Sequence, residues 1–282
     1  MRLTSNQLRF LPLFLTVFCV LPLNAADFDH SRYDDLLRAY VNSDGLVDYQ
    51  GLRANSLADL QTYLDQLANA DLKGRDYYDK LPFWINAYNA NVIKLVLAHP
   101  NMKKISEHFE IFDLPLTVAR STYTLNDIEH RIIRGKTNKS NGGGPIPGVT
   151  LEIFDPRVHF ALVCGAIGCP RLRNFAYTIH NLDATLRENS IDFANSPKYV
   201  RLMGGRLRIS SIMQWYADDF QLLGGPAAYL SRLIDPSKRK DAEAIKQRLA
   251  SQYDQAEFAY DWTVNDIRHA QTLRPKLLQS AK

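Results

Sequence analysis

Apolar positions along the chain recur first with helical spacing and later in short runs of strand type. Residues 34–41 and 57–68 place apolar side chains three and four positions apart and predict two amphipathic helices. Asp44-Gly45 and a short apolar run at 46–49 join them. Residues 81–98 predict the longest helix, with Pro82 near its first turn and Pro100 just beyond its end. Apolar residues surround this segment almost completely, which predicts a buried central helix. Asn86, Asn89 and Asn91 then need hydrogen-bond partners: either they tie the helix to a neighbouring loop or they line a pocket. Residues 116–119 and 122–125 predict a hairpin turning at Arg120-Ser121, and Asn126 is positioned to cap a helix running to Arg134. The glycine-rich stretch 135–148 predicts a mobile loop and lacks the Gly-Lys-Ser/Thr ending of a phosphate-binding loop. Further on, 182–194 predicts an amphipathic helix, and 199–202 with 207–209 a second hairpin across Gly204-Gly205. Ser210 or Ser211 is placed to cap a helix carrying Trp215 and Tyr216. Helices near 227–234 and 241–251 follow, then a strand at 258–262. No internal repeat or linker interrupts this order, so the expected fold class is α+β, a single helix-rich mixed domain with a small, mostly antiparallel sheet.

Composition changes the picture at the N-terminus. The first 26 residues hold Arg2 and Arg9, no acidic residue, an apolar run at 10–23 and then Ala25-Ala26, the pattern of a secretory signal peptide. The run is shorter than the roughly 20 residues that a spanning helix needs, and Asp27, Asp29 and Arg32 follow it closely. Thr16-Val17-Phe18 lacks the small residues expected before a lipidated Cys19. The expectation is therefore a periplasmic or secreted domain over residues 27–282, without a membrane span after cleavage. Removing Arg2 and Arg9 lowers the formal net charge from +4 to +2, which gives no case for nucleic acid as a partner. Cys164 and Cys169 are the cysteines left in the mature chain, the even number that one disulfide requires.

Candidate chemistry concentrates in residues 159–173, where an imidazole, two thiols and two guanidiniums fall together. Residues 160–163 read as a short strand, and Gly165 and Gly168 turn the chain back before Cys169. Pro170 suits the first position of a helix, which would put the Cys169 thiol at a helix N-terminus beside Arg171 and Arg173, where thiolate is favoured. On an ideal strand His159 and Cys164, five apart, face opposite ways, so the residue expected to pair with His159 is Cys169.

Several blocks together carry a family resemblance: Val47-Asp48-Tyr49, Phe83-Trp84-Ile85-Asn86-Ala87-Tyr88-Asn89-Ala90, Ile128-Glu129, Asp155-Pro156-Arg157-Val158-His159-Phe160-Ala161-Leu162, Cys169-Pro170, and Trp215-Tyr216 with Asp219-Phe220. In this order, over residues 45–220, the chain resembles the domain of unknown function 547 family. That resemblance implies no established activity. By analogy, a histidine opening an apolar strand also resembles papain and transglutaminase architectures. In those folds the nucleophilic cysteine starts a helix that precedes the histidine, whereas Trp84 to Ala90 supplies a helix without one.

The expected catalytic arrangement has Cys169 as nucleophile, His159 as base, and Glu129 or Asn86 orienting the imidazole. Arg157, Arg171 and Arg173 are candidates for holding a carboxylate or phosphate of the substrate. The expectation is a hydrolase or acyl transferase acting on amide or thioester bonds of a small molecule or peptide, with no cofactor. Other readings of the same residues stay open. Cys164 and Cys169 could form a disulfide, Cys164 could be a buried hydrophobe, and His159 a satisfied core residue. Zinc binding and thiol redox exchange use the same thiols, although neither has its usual spacing here. The rival from another class is a non-catalytic binding domain, with Trp84, Tyr88, Asn86 and Trp215 lining a cleft for a peptide or glycan.

Overall fold

The computed structural model describes residues 27–269; the expected signal peptide at 1–26 lies outside the described residues. Helix α1 (Ser31–Tyr40) packs on α2 (Tyr49–Asn55) and α3 (Leu57–Asn69), and these two pack against the long helix α4 (Tyr77–Ala98). α4 starts a turn earlier than the sequence pattern suggests, because Asp76 caps it by accepting from the Asp79 backbone N–H. Pro82 therefore sits inside the helix. Sixteen of its 22 residues are buried, among them the three asparagines. No described helix is long and apolar enough to cross a membrane.

The first hairpin, β1 (Leu116–Val118) and β2 (Ser121–Tyr123), turns at Ala119-Arg120 instead of Arg120-Ser121. Both turn residues have positive φ, at 48° and 61°, the left-handed pair that matches strand twist in a tight hairpin. The helix expected from Asn126 is a wide π-helical turn, Asp127–Ile133, and its start is fixed by Thr124 and Asp127 exchanging hydrogen bonds; the Asn126 side chain makes no capping bond and donates to Asp113 instead. The glycine-rich loop is tied down: buried Asn138 donates to Asp127 Oδ1 at 3.1 Å, and Arg131 Nε donates to the Gly144 carbonyl at 2.6 Å.

The C-terminal half places α5 (Leu182–Asn195), α7 (Gly225–Leu233) and α8 (Ala242–Gln252) around a sheet of β3 (Val200–Met203), β4 (Arg206–Ser210) and β5 (Glu257–Ala259). A short helix α6 (Ile212–Trp215) leads into a 3₁₀ turn, Ala217–Leu223. β3 and β4 are antiparallel, and β5 joins β4 in parallel. The apolar residues form two clusters, one around α4 and one between α5, α7, α8 and this sheet. The 3₁₀ turn Pro156–Phe160 crosses from one to the other, with Val158 in the first and Phe160 in the second, so His159 lies at their seam.

The expected strand at 160–163 is absent, and α4 supplies the reason. Asn89 accepts from the Val163 N–H at 2.9 Å and donates to the Ala161 carbonyl at 2.9 Å, so one amide side chain does the pairing of a neighbouring strand. One turn earlier on the same helix face, Asn86 treats Tyr177 alike, accepting from its N–H at 3.0 Å and donating to its carbonyl at 2.7 Å. Asn91 bonds back to the Ala87 carbonyl of its own helix. Replacing either clamp removes two buried hydrogen bonds and strands a backbone N–H and C=O, each worth about 1–3 kcal/mol. Asn89→Ala is expected to lower unfolding free energy by about 2–5 kcal/mol in urea, whereas Asn55→Ala on exposed α2 changes it by less than about 0.5 kcal/mol.

Candidate functional site

A cavity of about 320 Å³ opens at the seam. Its wall includes His159, Cys164, Cys169, Glu129, Tyr88 and Tyr216, and its rim the rings of Trp215, Tyr260 and Trp262. Each part arrives on a different element. α4 brings Tyr88, the π-helical turn brings Glu129, the 3₁₀ turn after the Asp155 cap brings His159, and α6 with the turn after it brings Trp215, Tyr216 and Asp219. In the widened turn Arg134 donates its backbone N–H to the Glu129 carbonyl at 3.0 Å, a five-residue step.

His159 Nε2 lies 2.7 Å from Asp219 Oδ2. The same carboxylate takes Arg134 Nε at 2.7 Å and a further bond from Lys136 Nζ. Burial pushes the Asp219 carboxyl up, but the bonds from His159, Arg134 and Lys136 outweigh it and hold the group well below the usual carboxylate range. Burial lowers the His159 pKa and the Asp219 bond opposes that only in part, which favours the neutral ring. An ionised Asp219 can only accept, so Nε2 carries the ring hydrogen and Nδ1 keeps a free lone pair. Among the described residues Nδ1 has no hydrogen-bond partner, and the ring stacks on Tyr216 with centroids 3.8 Å apart.

The two cysteines are free thiols. No helix begins at Cys169-Pro170: the chain runs irregularly until α5, which removes the expected helix dipole. Other donors take its place. The Cys164 N–H points at Cys169 Sγ at 3.0 Å, and the Tyr260 hydroxyl lies 3.0 Å from Cys169 Sγ and 3.1 Å from Cys164 Sγ. Burial raises the Cys169 pKa, but the Cys164 thiol, the Tyr260 hydroxyl and backbone N–H groups more than reverse it, so the thiol ionises below its ordinary value. Cys164, which donates to Cys169 and is buried, is pushed well above that value. The glycine turn is seated on the C-terminal segment. Ile167 N–H bonds the Thr263 carbonyl and Gly168 N–H the Asp261 carbonyl, both at 2.7 Å. A Cβ on Gly168 would meet Asp261 backbone nitrogen at 2.7 Å, so only glycine permits the approach that brings Tyr260 to the sulfurs.

Glu129 differs from Asp219 in having no guanidinium or ammonium in contact among the described residues. Tyr88 donates to Oε2 at 3.2 Å and Tyr216 to Oε1. Burial raises the Glu129 carboxyl, and nearby positive groups together with the Tyr216 hydroxyl bring it below its ordinary value. Burial in turn pushes both phenols well up, with Glu129 adding to it, which keeps them protonated donors.

The structure thus gathers His159, Cys169, Cys164, Glu129, Tyr88 and Trp215 at one cavity and leaves five of the expected residues outside its wall. Asn86 is a backbone clamp, and the group orienting His159 is Asp219, not Asn86 or Glu129. Trp84 is core, 1% exposed and edge-on to Tyr123. Arg157 is spent on Asp155 and Asp183. Arg171 and Arg173 both bind Asp192, too committed to favour a thiolate. Asp219, Tyr216 and Tyr260 had no assigned role in the sequence. The first two stand in the Trp215-Tyr216 and Asp219-Phe220 block, a usable signal, whereas Tyr260 carries none. No group of three or more His, Cys, Asp or Glu among the described residues is placed to hold a metal ion.

Residues 72–194 match the family model described as "Protein of unknown function, DUF547". The matched segment contains both asparagine clamps, Glu129, His159 and the two cysteines, while Tyr216, Asp219 and Tyr260 lie beyond it. Comparison with curated proteins and with solved structures finds no match.

Alkylation by iodoacetamide is expected to modify Cys169 first, with a pH midpoint below the 9.0 of an ordinary thiol, and Tyr260→Phe should move that midpoint up. Equal reactivity of the two cysteines at every pH would contradict the donor arrangement. Asp219→Asn leaves Arg134 and Lys136 facing a neutral amide and is expected to cost about 3 kcal/mol at neutral pH. A depressed carboxyl stabilises the fold above its unfolded value near 3.9, and this contribution is lost as pH falls through the folded value. The gap between wild type and Asp219→Asn in urea denaturation should accordingly narrow below about pH 4.

Proposed function

We propose that this protein is a thiol-dependent acyl-transfer enzyme in which Cys169 is the nucleophile and the His159–Asp219 pair supplies the base. The observation that carries the reading is one cavity lined by both the ionisation-prone Cys169 and His159, whose imidazole is fixed by a buried carboxylate and keeps Nδ1 without a hydrogen-bond partner among the described residues. No hydrogen bond joins His159 to either sulfur, so the thiolate does not depend on the imidazole. That division favours a thioester over an amide, since a thiolate leaves without a proton and an amine does not.

In this scheme Cys169 Sγ attacks the acyl carbon, a C–S bond forms, and the leaving thiolate takes the electron pair of the bond that breaks. The Tyr260 hydroxyl, no longer bonded to a charged sulfur, is released to donate to the oxyanion. Water or another acceptor then loses a proton to His159 Nδ1 and attacks the same carbon. Collapse returns the electron pair to Cys169, and the proton leaves to solvent. Asp219 stabilises the transient imidazolium without taking its proton. The signal-like pattern of residues 1–26 supports an exported setting for this chemistry.

Incubation with a simple acyl thioester is expected to give an intact-mass adduct of one acyl group on Cys169, with thiol release. Cys169→Ser should lower turnover by at least about 10²-fold with the melting curve unchanged. Asp219→Asn should slow deacylation by about 10²–10⁴-fold and so accumulate the adduct. Saturable ligand binding without any adduct or thiol release would sink the enzyme reading in favour of a binding domain.

A further inference from the structure

We infer that the cavity holds a subsite for an organic ammonium group, formed by the Glu129 carboxylate and the aromatic rim of Trp215, Tyr260 and Trp262. The ion-pair inventory leads there. Arg134 and Lys136 both bind Asp219, and among the described residues no lysine or arginine lines the cavity. Among the described residues Glu129 receives two phenolic hydroxyls, a neutral donor set that satisfies two of the roughly four lone-pair positions of a carboxylate. One other group comes within ion-pair range, His130 Nδ1 at 3.8 Å from Oε1. Arg134 Nη1 lies 2.8 Å from that nitrogen, and a guanidinium can only donate, so Nδ1 accepts and shows Glu129 no hydrogen. The carboxylate thus keeps acceptor positions that a cation entering the cavity can take.

The rim supplies the second half of the argument. Trp215 and Trp262 stack at 5.6 Å and 27°, and Tyr260 packs against both at 4.8 and 4.5 Å. Trp215 is 47% exposed and lines the cavity, so part of its ring surface is open to a ligand. Ring faces attract an alkylated ammonium through their quadrupoles while their apolar surface takes its methyl or methylene groups. The site therefore selects charge and bulk together and discriminates against carboxylates and phosphates. This deepens the acyl-transfer reading by giving the charge of the substrate. It rests on that reading for the reaction but not for the binding.

The test uses mature Cys169→Ser protein, which binds without turning over, so its outcome is separate from that of the acyl-adduct experiment. Tryptophan fluorescence and calorimetry would follow titration with choline against its neutral isostere 3,3-dimethylbutan-1-ol, and with n-butylammonium against n-butanol. At least one cation should bind about tenfold more tightly than its isostere, and Glu129→Gln should erase that preference. Should Glu129→Gln not fold, Trp215→Leu, a change at an exposed position, should weaken cation binding about fivefold. Equal affinity for cation and isostere, no saturable binding of either cation, or a preference that survives both substitutions would overturn the subsite.

Discussion

The site depends on two amide side chains that stand in for a strand. Asn86 and Asn89 lie one turn apart on the buried face of α4, and each takes a backbone N–H and gives an N–H to a backbone carbonyl of a passing segment. A β-strand placed there would expose a row of further polar groups to an apolar helix and leave them unpaired. The amides satisfy only the groups that need it. Because Asn89 fixes Ala161 and Val163, the residues on either side are referenced to α4 as well: His159 two positions before, Cys164 directly after. Tyr88, between the two asparagines in sequence, reaches Glu129 from the same helix. One rigid element thus sets the imidazole, one thiol and the carboxylate through two hydrogen-bonded contacts and one phenol.

Electrostatics then separates the two buried carboxylates. Asp219 has a guanidinium, an ammonium and an imidazole, and its charge is compensated within the protein. Glu129 has phenols, which lower its cost of burial without neutralising it. The same logic distinguishes the thiols. Both touch Tyr260, but only Cys169 also takes the Cys164 N–H, so the charge settles on one sulfur and the proton on the other. Neutral donors near a charge keep it reactive, whereas an opposite charge in contact would have quenched it.

Local patterns made the helices legible. The spacing in α1, α3, α5 and α8 gives their extents within a few residues, because apolar periodicity reports directly on which face is buried. The strand expected at 160–163 was not recoverable, since its pairing partner is a side chain on a helix and not another strand. Pro170 fits an irregular extended segment as well as a helix start, and the tertiary contacts of Asp261 and Thr263 decide between them. Asp219 and Tyr260 lie 60 and 91 residues from His159 and Cys169. No periodic signal spans such distances, so the orienting carboxylate and the phenol at the thiols appear only once the chain is folded.

The arrangement also departs from papain and transglutaminase logic at an informative point. There, by the expected analogy, a helix N-terminus activates the cysteine; here α4 carries no cysteine. Thiolate stabilisation has passed to a short loop held by Gly165 and Gly168 against the C-terminal segment. A helix dipole acts on whatever sits at its end, but this loop works only while residues 260–265 are docked, because Tyr260 supplies one of the donors. Reactivity of Cys169 is therefore coupled to the seating of a segment far from it in sequence. That coupling disfavours the thiolate in a partly folded chain, where an exposed thiolate is the species open to oxidation and disulfide exchange.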